Sequence, residues 1–267
     1  MEAIFALVFG LLIGSFLNVC IHRWPRNRSV VRPRSHCVRC RKTIAWYDNI
    51  PVISYLALGG RCRYCKVRIS PRYPLVEALT GALFFYIVLT QGPTLAAVKT
   101  CVFAAMLVAL IFSDLEKRIL PDEFTIGGAV AGLVFALFVR PDVTVHGILA
   151  LLGIQWPERW TNLAEAAAGG GLLAFLLWGA GWVYLKIRHR EGLGLGDVKL
   201  IAMVGTFLGL RGALFTLVAG SIAGSVIGLA YIKLSGKEAS TYELPFGTFL
   251  GAAALVAALF EPQLWGI

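Results

Sequence analysis

Apolar and polar positions along this chain are arranged in long blocks. Low-charge stretches run at about 2–20, 75–91, 94–112, 125–139, 164–186, 212–233 and 245–265. Each is close to the roughly 20 residues that carry a helix across a bilayer. A shorter apolar stretch at 198–210 fits a short or tilted span packed against protein, and 141–163 (Val143 to Trp160) reads as an external loop with an interfacial or re-entrant stretch. The first block lacks a basic start, since Glu2 is the only charge before His22, and it has no small-residue cleavage site before Trp24. It is therefore expected to be retained as a first helix and not removed as a signal peptide. The pattern predicts an all-α polytopic membrane protein of about eight transmembrane helices: a first helix (1–20), a polar insert (21–74) and a seven-span bundle (75–267). Glycines spaced four apart (Gly10 and Gly14; Gly128 and Gly132; Gly220, Gly224 and Gly228) put small residues on single helix faces. Backbones can approach closely there.

Composition supports this reading, with 58% hydrophobic residues and a mean hydropathy of +0.74 over 267 residues. A net charge of +10 would point to nucleic acid in a soluble protein, but here the placement of the charges decides. The insert carries basic residues from Arg23 to Arg72 against the single acid Asp48, which places it in the cytoplasm and the N-terminus outside. Counting onward puts Lys117-Arg118, the run Lys186 to Lys199, Lys233 and Lys237 on the same side, and leaves Arg140, Arg159, Arg211 and Lys99 towards the other. Eight spans with both termini outside satisfy all of these loops. Contact with anionic inner-leaflet lipid explains the basic insert, and no nucleic acid is expected as a partner.

The insert is too short to build much core. Cys37-Val38-Arg39-Cys40 and Cys62-Arg63-Tyr64-Cys65 are paired C-x-x-C knuckles at close to zinc-ribbon spacing. Four thiolates converging on Zn²⁺ would close such a segment, and a site without an open position would be structural. Two disulfides are the alternative, disfavoured in a reducing cytoplasm. Cys20 and Cys101 read as small core residues.

Two carboxylates stand where spans meet water. Asp114 follows the span ending at Phe112, and Asp197 follows Gly194-Leu195-Gly196 and precedes the apolar run from Val198. Two acids that can share a proton, one activating water and the other protonating the scissile group, are what an aspartyl hydrolase requires. Neighbouring glycines let a substrate backbone come close. Asp197 could alternatively be a helix N-cap. Asp122, in Pro121-Asp122-Glu123, reads as a helix start and is the substitute member of the pair.

Asp114 with Leu120-Pro121-Asp122, Gly194-x-Gly196-Asp197, Gly14-Ser15-Phe16-Leu17-Asn18-Val19, the tract Trp46 to Pro51, and the tract Ile69 to Glu77 together resemble the bacterial type IV prepilin peptidases. The resemblance covers nearly the whole chain. Departures at Val38 and Val67-Arg68 touch no expected ligand or acid. It implies removal of the leader from type IV prepilins or pseudopilins at the cytoplasmic face of the bacterial inner membrane, with Asp114 and Asp197 as the catalytic pair. It also implies methylation of the new N-terminal amine with S-adenosylmethionine. No G-x-G-x-x-G follows a predicted strand to mark the methyl-donor site. Residue chemistry offers Asn18 and His22 on one face of the first helix, with Arg72, Tyr73 and Glu77 where the insert re-enters the membrane. Asn18, Arg72, Tyr73 and Glu77 are the candidate donor residues; the alternative is a hydrogen-bond network that ties the insert to the bundle. The rival functions are a transporter or channel with paired aspartates, and a zinc-stabilised scaffold of a secretion assembly.

Overall fold

The computed structural model describes residues 1–140, 156–190, 192–235 and 244–265. They divide into two compact units, Met1–Ala109 and Leu110–Ile267. Among the described residues the secondary structure is helical apart from two isolated β-bridges. Among the described residues, five helices are long and apolar enough to cross a membrane.

The first unit holds α1 (Glu2–Arg23), a short α2 (Ile53–Ala57), α3 (Arg72–Gln91) and the start of α4 (Leu95–Lys117). α1 packs along α3 through Gly10 and Gly14. A Cβ on Gly10 would come within 2.9 Å of the Gly81 Cα, and one on Gly14 within 2.7 Å of the Glu77 Cα. The spacing of four therefore brings two backbones together, as expected for a membrane pair. α3 opens behind Pro71 and carries Pro74 in its first turn, where a missing N–H costs nothing; it stops at Gly92, whose φ of 68° leaves the helical region.

The second unit comprises the end of α4, then α5 (Asp122–Ala136), α6 (Glu158–Arg188), α7 (Leu195–Ser235) and α8 (Phe246–Trp265). α7 is interrupted at Gly209 (φ 71°, ψ −171°), which separates the two apolar stretches read as 198–210 and 212–233. Gly220, Gly224 and Gly228 lie against Leu250, Phe249 and Leu244, so this stripe is the seam to the last helix and its approach. Gly132 of α5 faces Thr206 and Phe207 of α7.

Helix ends depart from the apolar blocks in a consistent direction. α1 runs to Arg23, α3 starts at Arg72, α4 reaches Lys117 and α6 reaches Arg188. Charged residues halt the apolar pattern but not the helix, which continues where side chains can reach water. The expected external loop 141–163 is corrected at its end. Residues 141–155 lie outside the described residues, as does Lys237, but α6 begins at Glu158, behind an extended Pro157. Thr161, Asn162 and Glu165 are buried on the helix.

α6 and α7 make the tightest crossing. A Cβ on Gly205 would fall on the Gly169 carbonyl and 2.5 Å from the Gly170 nitrogen, all backbone atoms that no rotamer change can move. Gly205→Ala is expected to cost about 1–3 kcal/mol as an overpacked contact. Gly171→Ala on the open face of α6, where a Cβ meets nothing within 4 Å, should be neutral or stabilising. Thermal unfolding of the purified variants in one detergent checks both.

Candidate active site and thiolate cluster

Asp114 is buried near the end of α4, with 5% of its surface exposed. One oxygen, Oδ2, accepts two hydrogen bonds from a single residue: the Thr248 backbone N–H at 2.7 Å and the Thr248 hydroxyl at 2.8 Å. Thr248 sits in the first turn of α8, where backbone N–H groups have no partner within the helix. Asp114 thus serves as an acceptor for a helix that starts far along the chain. Gly247 permits this approach, since a Cβ there would stand 3.2 Å from the same oxygen. The chain leaves α4 through Arg118 (φ 53°), and the Ser113 hydroxyl donates to the Ile119 carbonyl at 2.8 Å. That closed turn directs Leu120 towards Gly196 and Gly247, with contacts to built Cβ positions of 3.3 and 2.9 Å.

Asp197 lies inside the first turn of α7, two residues past its start at Leu195, and is half-buried. It is therefore not the N-cap, and the capping alternative is removed. A Cβ on Gly194 would stand 3.3 Å from Asp197 Oδ2, so this glycine leaves room for the carboxylate itself. The two expected acids are brought together: Asp114 acts on Asp197 as a like charge within electrostatic reach. Asp122 has a different setting. Its carboxylate is half-exposed and receives Lys199 Nζ at 2.7 and 3.0 Å.

In the first unit, the two C-x-x-C knuckles are copies of one geometry. The Cys37 N–H donates to the Lys42 carbonyl and Arg41 N–H to the Cys37 carbonyl; Cys62 to Val67 and Lys66 to Cys62 repeat both bonds at the same offsets. Arg41 and Lys66 each adopt φ 56°, and the flanking bridges are His36 with Thr43 and Arg61 with Arg68. The four Sγ atoms lie within 4.8 Å of one another, none in a disulfide, and Cys37 Sγ is 3.7 Å from Cys65 Sγ. Four sulfurs at a Zn–S length of about 2.3 Å in a tetrahedron stand about 3.8 Å apart. The cluster can hold a metal ion. Burial opposes ionisation of Cys37, but N–H groups of Cys40 and Arg39 outweigh it and hold the thiol down at about 6. At Cys40 the Lys42 N–H pulls down, yet desolvation and the neighbouring sulfurs prevail and push it up to about 11. Sulfurs this close resist sharing several negative charges without a cation. Asp48, the insert's acid, is held below the usual carboxylate range by Arg63 of the second knuckle, which donates at 2.7 and 2.5 Å.

Of the candidate donor residues, Asn18, Arg72 and Tyr73 are brought together. Asn18 Nδ2 donates to the Tyr73 carbonyl at 3.0 Å, and the Arg72 guanidinium lies 4.6 Å from the Tyr73 ring centroid. Glu77 is buried, with Oε2 accepting the Val52 N–H at 2.7 Å. Val52 has φ 61° and ψ −50°, and the Ile53 N–H reaches the Pro51 carbonyl at 2.6 Å. This is a γ-turn of the positive-φ kind centred on a β-branched residue, a strained conformation that tends to mark functional sites. His22, grouped with Asn18 on the first helix, instead pairs with Arg26 on the following turn.

Residues 8–91 match the model of the bacterial peptidase A24 N-terminal domain, and residues 101–229 match that of the type IV leader peptidase family. A prepilin leader peptidase/N-methyltransferase of Aeromonas salmonicida (strain A449) is 34% identical over 287 residues, covering 97% of this chain and 92% of the relative. The chain belongs to the type IV leader peptidase family. A relative of the same description from Myxococcus xanthus is 43% identical over 236 residues, which cover 88% of this chain and 64% of the relative's length. One from Pseudomonas aeruginosa is 32% identical, over 97% of this chain and 90% of the relative. No solved structure matches the chain.

Two parts of this leader peptidase's acid site are not singled out from sequence, Thr248 and Gly247; Leu120 enters only within the motif Leu120-Pro121-Asp122. The available signal was Pro245-Phe246-Gly247-Thr248 at the head of the last apolar block, which is a helix start with a small donor residue in its first turn. In the insert, Val52 was also missed, because nothing about Pro-Val-Ile announces a γ-turn.

Proposed function

We propose that this chain is an intramembrane aspartyl endopeptidase that removes the leader from type IV prepilins or pseudopilins and then N-methylates the exposed amine. The observation that carries the first half is the pair Asp114 and Asp197, in mutual electrostatic reach at two helix ends, with Thr248 occupying one oxygen of Asp114 and leaving the other for chemistry. One carboxyl activates water and the other protonates the leaving amine. The half-exposed ion pair of Asp122 with Lys199 argues against its membership of the catalytic pair. The relatives' description supports the methyltransferase half.

On this reading the protein crosses the bacterial inner membrane about eight times, with α5, both segments of α7 and α8 among the spans. The chain divides functionally into first helix (1–20), cytoplasmic zinc insert (21–74) and bundle (75–267), and the acid pair faces the cytoplasm. Prepilin or pseudopilin helices are its substrates, and anionic lipid its neighbour along the basic insert. Asn18, Arg72, Tyr73 and Glu77 would serve the methyl donor. When bound, S-adenosylmethionine supplies a methyl group activated by a sulfonium cation; the buried carboxylate of Glu77 is suited to face that charge.

The thiolate cluster would hold structural Zn²⁺. About one zinc per chain is expected by elemental analysis, falling on Cys37→Ser or Cys62→Ser. Four thiols that alkylate readily with no metal present would refute the site. The whole reading is tested by mass spectrometry of a mature pilin from cells with and without this protein. Leader loss and a mass increase of one methyl should both depend on it.

A further inference from the structure

The two acids have the same chemistry but different surroundings. Asp114 Oδ2 accepts the Thr248 backbone N–H at 2.7 Å and the Thr248 hydroxyl at 2.8 Å, whereas among the described residues no donor reaches the Asp197 carboxylate. We infer that Thr248 divides the roles of the pair, keeping Asp114 as the ionised member that takes a proton from water and leaving the shared proton on Asp197 for the departing amine. This assignment depends on the endopeptidase half of the function above. It makes Thr248 a positioning residue, which touches Asp114 and acts through it.

What each donor can do decides the matter. A backbone N–H cannot accept, so Oδ2 carries no proton on the side it turns to that group. The hydroxyl can rotate, but its other neighbour is the Ile111 carbonyl at 3.4 Å, also an acceptor, and the carboxylate is the closer of the two. Both acceptor positions of Oδ2 are thus filled, and a proton on Asp114 has only Oδ1 to occupy. Hydrogen bonds to a charged form favour that form, and both bonds are charge-assisted when Asp114 is ionised. Helix dipoles do not choose between the acids: Asp114 faces the first turn of α8, and Asp197 stands in the first turn of α7. One dipole end is worth less than one charge-assisted hydrogen bond, and Thr248 supplies two. Like charges this near resist ionising together, so the proton that the pair keeps goes to the acid without donors.

With Oδ2 held, Oδ1 is the Asp114 oxygen that meets water. A water oxygen bonds to the scissile carbonyl carbon as one of its protons passes to Oδ1. The tetrahedral adduct then re-forms its carbonyl, the C–N bond breaks, and Asp197 gives its proton to the leaving nitrogen. Asp114 now holds a proton and Asp197 a charge, and transfer of that proton between them restores the pair.

Full-length protein in detergent, acting on a purified prepilin, tests this division. Thr248→Val keeps the shape and the backbone N–H but removes the hydroxyl. Its kcat for leader cleavage should fall at least about tenfold, with KM within about twofold of wild type. Losing a donor to the ionised form lets Asp114 bind a proton more readily, so the acidic limb of the kcat/KM profile should move to higher pH. The other charged groups acting on Asp114, Asp197 of α7 and Arg118 after α4, are unchanged in the variant. Thr248→Ser retains the hydroxyl and should restore both kcat and the limb, and Thr248→Cys, a weaker donor, should fall between. This graded order holds the test open even if Thr248→Val proves unstable. An acidic limb that stays in place in Thr248→Val and Thr248→Cys, or a Thr248→Ser as impaired as Thr248→Val with a lowered melting temperature, overturns the inference. The endopeptidase reading then stands, provided that Asp114→Asn and Asp197→Asn are inactive. Retained cleavage in both of those variants overturns the reading and the inference together.

Discussion

Asp114→Asn and Asp197→Asn are each expected to reduce leader cleavage by at least about a thousandfold while leaving the protein folded, because a general acid–base pair that has lost one carboxyl can neither activate water nor return a proton. Asparagine keeps the shape of the side chain. At position 114 its carbonyl oxygen can still accept from the Thr248 N–H and hydroxyl, so α8 retains its tertiary acceptor and the effect isolates the titratable oxygen. Asp122→Asn is the internal control. It removes a half-exposed ion pair to Lys199, and such pairs contribute at most about 1 kcal/mol to stability. Cleavage should persist. The measurement is the initial rate of leader removal from a purified prepilin in detergent, with size-exclusion profiles of all variants. An inactive Asp122→Asn beside an active Asp114→Asn would reverse the choice of pair, and retained cleavage in both dyad variants would refute the aspartyl mechanism.

What could be read without the structure follows the range of each interaction. The membrane helices are written in local composition, so their middles were legible, whereas their ends were drawn short at Arg72 and Lys117, where apolarity stops and helix does not. The pattern starts α6 six residues late because the apolar stretch before residue 164 is too short to span by itself, whereas the helix begins at Glu158 and buries Thr161 and Asn162. The thiolate cluster was legible because two knuckles carry their ligands at fixed short spacing, and the same local bonds recur around Cys37 and Cys62. The acid site is assembled from residues far apart in the chain. Asp114 and Asp197 announced themselves as charges at span ends, but the donor that orients Asp114 comes from 134 residues away. Asp122 and Asp197 both looked like helix-start residues, and only Lys199 on one and Asp114 near the other tell them apart.

Glu77→Gln should separate the two activities, giving mature pilin with the leader removed and its N-terminus unmethylated. Glutamine can still accept the Val52 N–H through its carbonyl oxygen, so the γ-turn centred on Val52 keeps its anchor. What is lost is the negative charge that the proposed reading turns towards a sulfonium, an attraction that a buried site with little water enhances. The acid pair is built entirely from the second unit, with its own donors from Thr248, and nothing in that set depends on the charge at residue 77. Methylation should therefore fall by about a hundredfold, read as the ratio of methylated to unmethylated N-terminal peptide by mass spectrometry, while the leader-cleaved fraction stays near wild type. Glu77→Asp restores charge at a shorter reach and should recover part of the methylation. If Glu77→Gln instead lost cleavage and methylation together, with a lowered melting temperature, Glu77 would be an anchor of the insert and not a partner of the donor. Full methylation in the variant would move the donor site away from Glu77 altogether.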